Sequence, residues 1–174
     1  ALVTGAEETR LWDAVGRLQP VRGRLERAVI TQSGAPVYVD YAHTPDALEA
    51  AIAALRPHVD SAKGRLIVVF GAGGDRDTGK RAPMGKVASE AADLVVVTDD
   101  NPRGEDPAAI RSAILSGIES DALEIGDRRT GIATAITQAE GGDIVLIAGK
   151  GHEQGQIIGS GETMRIHPFD DVTV

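Results

Sequence analysis

"RLIVVFGAGGDRDTGKRAPMGKVASEAADLVVVT", residues 65–98, decides the fold. It opens on "RLIVVFG" (65–71), a short unbroken apolar run rich in β-branched side chains, which reads as a buried strand. "PMGKVASEAAD" (83–93) is helical, and "LVVVT" (94–98) is a second buried strand. Strand, helix and strand in this order, with continuously apolar strands, mean a parallel sheet covered on both faces.

The same alternation continues downstream. A helix is predicted from Pro107, with Asp106 as N-cap and Ile110, Ile114, Leu115 and Ile118 on one face. "ALEI" (122–125) is a weak strand, "GIATAITQA" (131–139) a helix and "DIVLIAG" (143–149) the last strong strand. In the tail, "QIIG" and "TMRIHP" suit an antiparallel edge. Upstream, "RAVITQSGAPVYVDYA" (27–42) reads as two strands joined by Ser33-Gly34-Ala35-Pro36. The helix after it is capped by Thr44, takes Pro45 first, and buries Leu48, Ala51, Ile52 and Leu55. The predicted class is α/β: a Rossmann-like, mostly parallel sheet with helices on both faces and an antiparallel edge. Residues 1–22 read as the helical tail of a preceding domain, with a boundary near "QPVRGR" and one domain over 23–174.

Composition narrows the function. The chain has 174 residues, 42% of them hydrophobic and 25% charged, which suits one globular domain with a sizeable core. Aromatics make up only 3%, so Ala, Val, Ile and Leu must build that core. A net charge of −8 without a basic run argues against nucleic acid, which needs a cationic face. With no cysteine there are no disulfides or thiolate metal sites, and the cytoplasm is the default compartment. No apolar stretch approaches the roughly 18 residues of a membrane span, so no membrane insertion is expected. The chain opens on Ala1 in the middle of an ordinary sequence, as a piece of something longer would.

Ligands of open α/β sheets gather at the carboxyl ends of the strands. The loops there are "DYAH" (40–43), "GAGGDRDTGKR" (71–81), "DDNPR" (99–103) and "GKGHE" (149–153), all carrying charged side chains and two of them rich in glycine. Gly74 to Lys80 has the spacing of a phosphate-binding loop, but Arg81 stands where a magnesium-binding hydroxyl is needed. The dinucleotide fingerprint fails at Arg76, where a third glycine belongs. Both motifs are rejected as they stand, although a glycine-rich turn still admits a ligand and Arg76 can fork a carboxylate or phosphate. His58 and His167 read as surface or packing positions, while His43 and His152 sit in strand-end loops. No paired-histidine spacing supports a zinc site, and no G-x-S-x-G elbow supports a hydrolase. Trp12 and Tyr38 are expected to pack.

Taken together, "GRLE" (23–26), "DYAHTPDAL" (40–48), "FGAGGDRDTGKR" (70–81), "VVTDDNPR" (96–103) and "AGKGHE" (148–153) closely resemble the C-terminal domain of the Mur ligases. Within that family the resemblance is to the branch that adds the third residue of the peptidoglycan stem. It implies an ATP- and Mg2+-dependent ligase that joins meso-diaminopimelate to UDP-N-acetylmuramoyl-L-alanyl-D-glutamate. By the same resemblance Arg76, Asp100, Asn101, Pro102, Arg103, Gly149 and Glu153 hold the amino acid, and Arg24, Asp40 and His43 face the nucleotide. The family's phosphate-binding loop, magnesium ligands and modified lysine belong to a central domain that this chain lacks. No catalytic residue and no metal ligand is therefore expected here. The implied partners are the amino acid, the UDP-linked dipeptide and the family's N-terminal and central domains. A lysine-adding ligase is disfavoured because Arg103 would face an ammonium. A dinucleotide-binding oxidoreductase domain is the alternative of another class, and a non-catalytic binding module a third.

Overall fold

The computed structural model describes residue 5, residues 7–60 and residues 62–174. Helix α1 (Glu8–Val15) precedes strands β1 (Glu26–Ile30) and β2 (Pro36–Asp40). Then follow α2 (Pro45–Leu55), β3 (Leu66–Phe70), α3 (Arg81–Ala91), β4 (Leu94–Val97), α4 (Pro107–Leu115), β5 (Ala122–Glu124), α5 (Arg128–Gln138) and β6 (Ile144–Ala148). The chain ends with β7 (Gly155–Ile158) and β8 (Arg165–Pro168).

The main sheet runs β1-β2-β6-β3-β4-β5, antiparallel only between β1 and β2. Every residue of β3 and β6 is buried, which is why neither strand alternates in sequence. Leu66, Val68 and Phe70 point to the face covered by α2, α3 and α4. Ile67 and Val69 point to the other, covered by α5 and the tail residues Phe169, Val172 and Val174. The caps are as expected: Thr44 accepts from the Ala47 amide at 3.3 Å and Asp106 from that of Ala108 at 3.0 Å. Asp127, unforeseen as a cap, accepts from the Thr130 amide at 2.8 Å and starts α5 at Arg128 rather than 131.

Two expectations need correction. The tail strands do not form the antiparallel edge of the main sheet; that edge is β1, and β7 and β8 pair with each other as a separate hairpin. The edge of β2 is already taken by the strand next to it in sequence. Trp12 is 59% exposed, since α1 buries none of its residues among those described. The expected tail of a preceding domain also includes residues 1–4 and 6, which lie outside the described residues.

β6 lies between β2 and β3, so the chain skips a place in the sheet that it fills only later. The loops leaving β2, β3, β4 and β6 diverge around that switch point, where open sheets bind ligands.

Candidate functional site

A cavity of about 380 Å³ opens there. Its walls carry His43 from the β2 loop, Arg76, Asp77 and Lys80 from the β3 loop, Asp100, Asn101 and Arg103 after β4, and Gly149 and Glu153 after β6. Cations and carboxylates thus face one small volume, as a ligand bearing both charge signs requires.

The two aspartates that end β4 have different tasks. Asp99 turns away and pairs with Arg111, which also holds Glu124 at 2.8 Å. Burial pushes the Asp99 carboxyl up despite that partner. Asp100 turns inward, mostly buried, with Lys150 Nζ 3.7 Å from its Oδ1. Arg103 has φ +52°, a left-handed backbone that few side chains adopt without cost. The hairpin holds it there: the Arg103 amide donates to Ile157 O at 3.0 Å, and the Gly159 amide donates to Arg103 O at 2.7 Å. Its Nη1 donates to Gly74 O and Asn101 O at 3.0 and 3.3 Å. Nε and Nη2, the edge that pairs side-on with a carboxylate, have no protein partner among the described residues.

The glycine-rich loop lies directly against this turn. A Cβ on Gly74 would sit 1.9 Å from Pro102 O, so only glycine allows the approach. The buried Arg81 donates to Gly73 O at 3.3 Å and to Glu105 at 2.9 Å, and Glu105 also accepts from the Asp75 amide at 2.6 Å. Arg81 and that amide hold the Glu105 carboxyl below its usual range. The residue that breaks the phosphate-loop motif is thus a brace between two walls of the cavity. Burial pushes the Lys80 ammonium down, against the pull of Asp100 and Asp77. Lys80 donates to His43 O at 2.8 Å and so ties the β2 loop to the start of α3.

Beside the cavity, the Arg24 guanidinium lies 4.5 Å over the Tyr41 ring, which also meets His43 and His152 at 4.6 and 5.2 Å. Asp40 and Arg24 lie off the cavity wall. The two Asp40 oxygens accept from the Leu25 and Ala42 amides at 2.7 and 2.8 Å. Among the described residues no group of three His, Asp or Glu side chains is arranged to hold a metal ion.

Residues 23–151 match the family described as Mur ligase, glutamate ligase domain. The chain belongs to the Mur ligase family. It is 65% identical over 173 residues to the UDP-N-acetylmuramoyl-L-alanyl-D-glutamate–2,6-diaminopimelate ligase of Zymomonas mobilis subsp. mobilis, a match covering 99% of this chain and 35% of that protein. A solved structure of a ligase of the same name superposes with a TM-score of 0.78 at 42% identity, over 99% of this chain and 34% of that one. A folylpolyglutamate synthase of Mycobacterium tuberculosis shares the fold with a TM-score of 0.61 at 22% identity, over 83% of this chain and 33% of that one. The chain spans about a third of the length of the curated relatives it matches.

In this Mur ligase domain the cavity gathers Arg76, Asp100, Asn101, Arg103, Gly149, Glu153 and His43 from the expected set. Pro102 stands behind them, its carbonyl accepting from the Glu105 amide at 3.1 Å. Sequence reasoning missed Lys80, Arg81, Glu105, Lys150 and Gln156. Gln156 donates to Asp100 O at 2.7 Å from a separate hairpin, a contact with no local signal. Lys80 and Arg81 did carry one, as charged side chains at the mouth of a strand-end loop.

Proposed function

We propose that this domain holds the incoming amino acid for a longer, ATP-dependent ligase that adds meso-diaminopimelate to UDP-N-acetylmuramoyl-L-alanyl-D-glutamate in the cytoplasm. The observation that carries the reading is the mixed charge of the cavity, with Arg76, Lys80 and Arg103 set among Asp77, Asp100 and Glu153. meso-Diaminopimelate bears two carboxylates and two ammonium groups, and relatives at 65% and 54% identity are named as 2,6-diaminopimelate ligases.

In this reading Arg103 forks a carboxylate through its Nε–Nη2 edge, and Arg76 meets a second one. Gly149 and Glu153 receive an ammonium, with Asp100 and Asn101 beside it. Pro102 stiffens the turn and lowers the ordering cost of binding. ATP with Mg2+, bound mainly by the central domain, supplies the phosphoryl group that activates the acceptor carboxyl. Arg24 and His43 border its nucleotide, and their cationic and aromatic surface around Tyr41 suits a base or a phosphate. Asp40 acts through the backbone it anchors. The chain's own contribution is positioning, which alone lowers a bimolecular barrier substantially. Residues 1–22 then end the central domain, 23–174 form the amino-acid-binding domain, and this portion alone is inactive.

A lysine-adding ligase is disfavoured because the free edge of Arg103 would repel an ammonium. The test is the ratio of kcat/KM for meso-diaminopimelate over L-lysine in the full-length ligase, for wild type, Arg103→Ala and Arg103→Lys. A charge-assisted hydrogen bond contributes roughly 1.5–3 kcal/mol, so the ratio is expected to fall about tenfold to a hundredfold in Arg103→Ala. Lysine rescues poorly, because an ammonium cannot make the planar two-point contact. An unchanged ratio would mean that Arg103 does not read the amino acid.

A further inference from the structure

Lys150 is fully buried at 0% exposure, directly behind the cavity wall. Its Nζ donates to Asn101 Oδ1 and to Gly155 O, both at 2.8 Å, and faces Glu153 Oε2 at 3.5 Å and Asp100 Oδ1 at 3.7 Å. A buried ammonium is costly unless paired, and an apolar side chain of the same length would fill the volume without that cost.

The ammonium has two consequences for the cavity. It sets one positive charge against the two negative charges of Asp100 and Glu153. It also fixes the Asn101 amide. Oδ1 is faced by two groups that only donate, Lys150 Nζ and the Ile157 amide at 2.9 Å, so its acceptor capacity is used. Nδ2 gives one N–H to Glu153 Oε2 at 2.9 Å and keeps the other. Asn101 therefore offers a ligand only a donor, and a donor suits a carboxylate.

We infer that Lys150 is a specificity-determining residue of this site. It cancels one carboxylate and turns Asn101 so that the cavity takes a zwitterionic amino-acid end, an ammonium with a carboxylate beside it, over a bare ammonium. The inference rests on the amino-acid-binding reading above and extends it to a residue that need not touch the ligand.

Calorimetric titration of the 174-residue chain with meso-diaminopimelate and with L-lysine tests it, with folding of each variant checked by thermal melting. The quantity read is the ratio of the two affinities in wild type, Lys150→Met, Glu153→Gln and the double variant. Loss of the ammonium removes its attraction for the ligand carboxylate, so Lys150→Met is expected to move the ratio about tenfold or more toward lysine. Glu153→Gln moves it toward meso-diaminopimelate, and the charge-matched double variant returns it to within about threefold of wild type. If Lys150→Met does not fold, Glu153→Gln against the double variant supplies the same one-charge step. Affinities that fall together at a constant ratio make Lys150 a packing residue and overturn the inference. A wild-type chain that binds neither amino acid removes the amino-acid reading itself, which is a different failure.

Discussion

The pair formed by Arg128 and Asp171 offers the largest stability effect. Both side chains are completely buried, and the guanidinium donates from Nε and Nη2 to the two carboxylate oxygens at 2.8 and 2.7 Å. The same guanidinium donates to Ala148 O at 3.0 Å, at the end of β6, and to Asp99 O at 3.5 Å, just past the end of β4, where the cavity loops begin. Asp171→Ala deletes the two charge-assisted bonds and leaves a buried cation with two carbonyls for partners. Breaking such a pair from one side costs about 3–5 kcal/mol. With a urea m-value of about 2 kcal/mol per molar, the midpoint should fall by roughly 2 M. The assay is urea unfolding of the 174-residue chain followed by far-ultraviolet circular dichroism. Replacing both partners, as in Arg128→Met with Asp171→Leu, removes the stranded charge and should recover most of the loss. A loss below about 1 kcal/mol for Asp171→Ala, or a double variant as unstable as the single one, would refute the reasoning.

Two further outcomes follow from individual contacts. Gly74→Ala puts a Cβ 1.9 Å from Pro102 O and must part the glycine-rich loop from the Arg103 turn. Calorimetry should show affinity for meso-diaminopimelate lowered by about tenfold or more, and an unchanged affinity would mean that this contact does not shape the site. Burial raises the Asp143 carboxyl, but Arg65 and the amides of Glu140 and Arg65 outweigh it and hold the group below its ordinary 3.8. A depressed carboxyl stabilises the fold above its unfolded value, and that contribution is lost as pH falls through the folded one. The stability gap between wild type and Asp143→Asn, measured by thermal melting, should therefore be full near neutrality and shrink below about pH 4. A gap that stays constant into acid would contradict the ion pair with Arg65.

Sequence alone determined what is local in this protein. The apolar runs of β3, β4 and β6 marked buried parallel strands, because a strand covered on both faces has no polar side to display. Thr44 and Asp106 marked helix starts, because a cap bonds within a few residues of itself. The charged loops were legible as a site because strands of one parallel sheet end at the same rim. Tertiary structure decided which side chains meet across that rim. Nothing local distinguishes Asp99, turned to Arg111, from Asp100, turned to the cavity. The oxygens of Asp40 hold amides on either side of β2, one of them 15 residues away in the chain, an anchoring that no local pattern announces. Lys150 was legible only as part of the charged loop after β6, and its burial depends on Asn101, 49 residues upstream, and on the turn into β7. Such contacts join distant segments, and only the packed fold brings their partners within hydrogen-bonding reach.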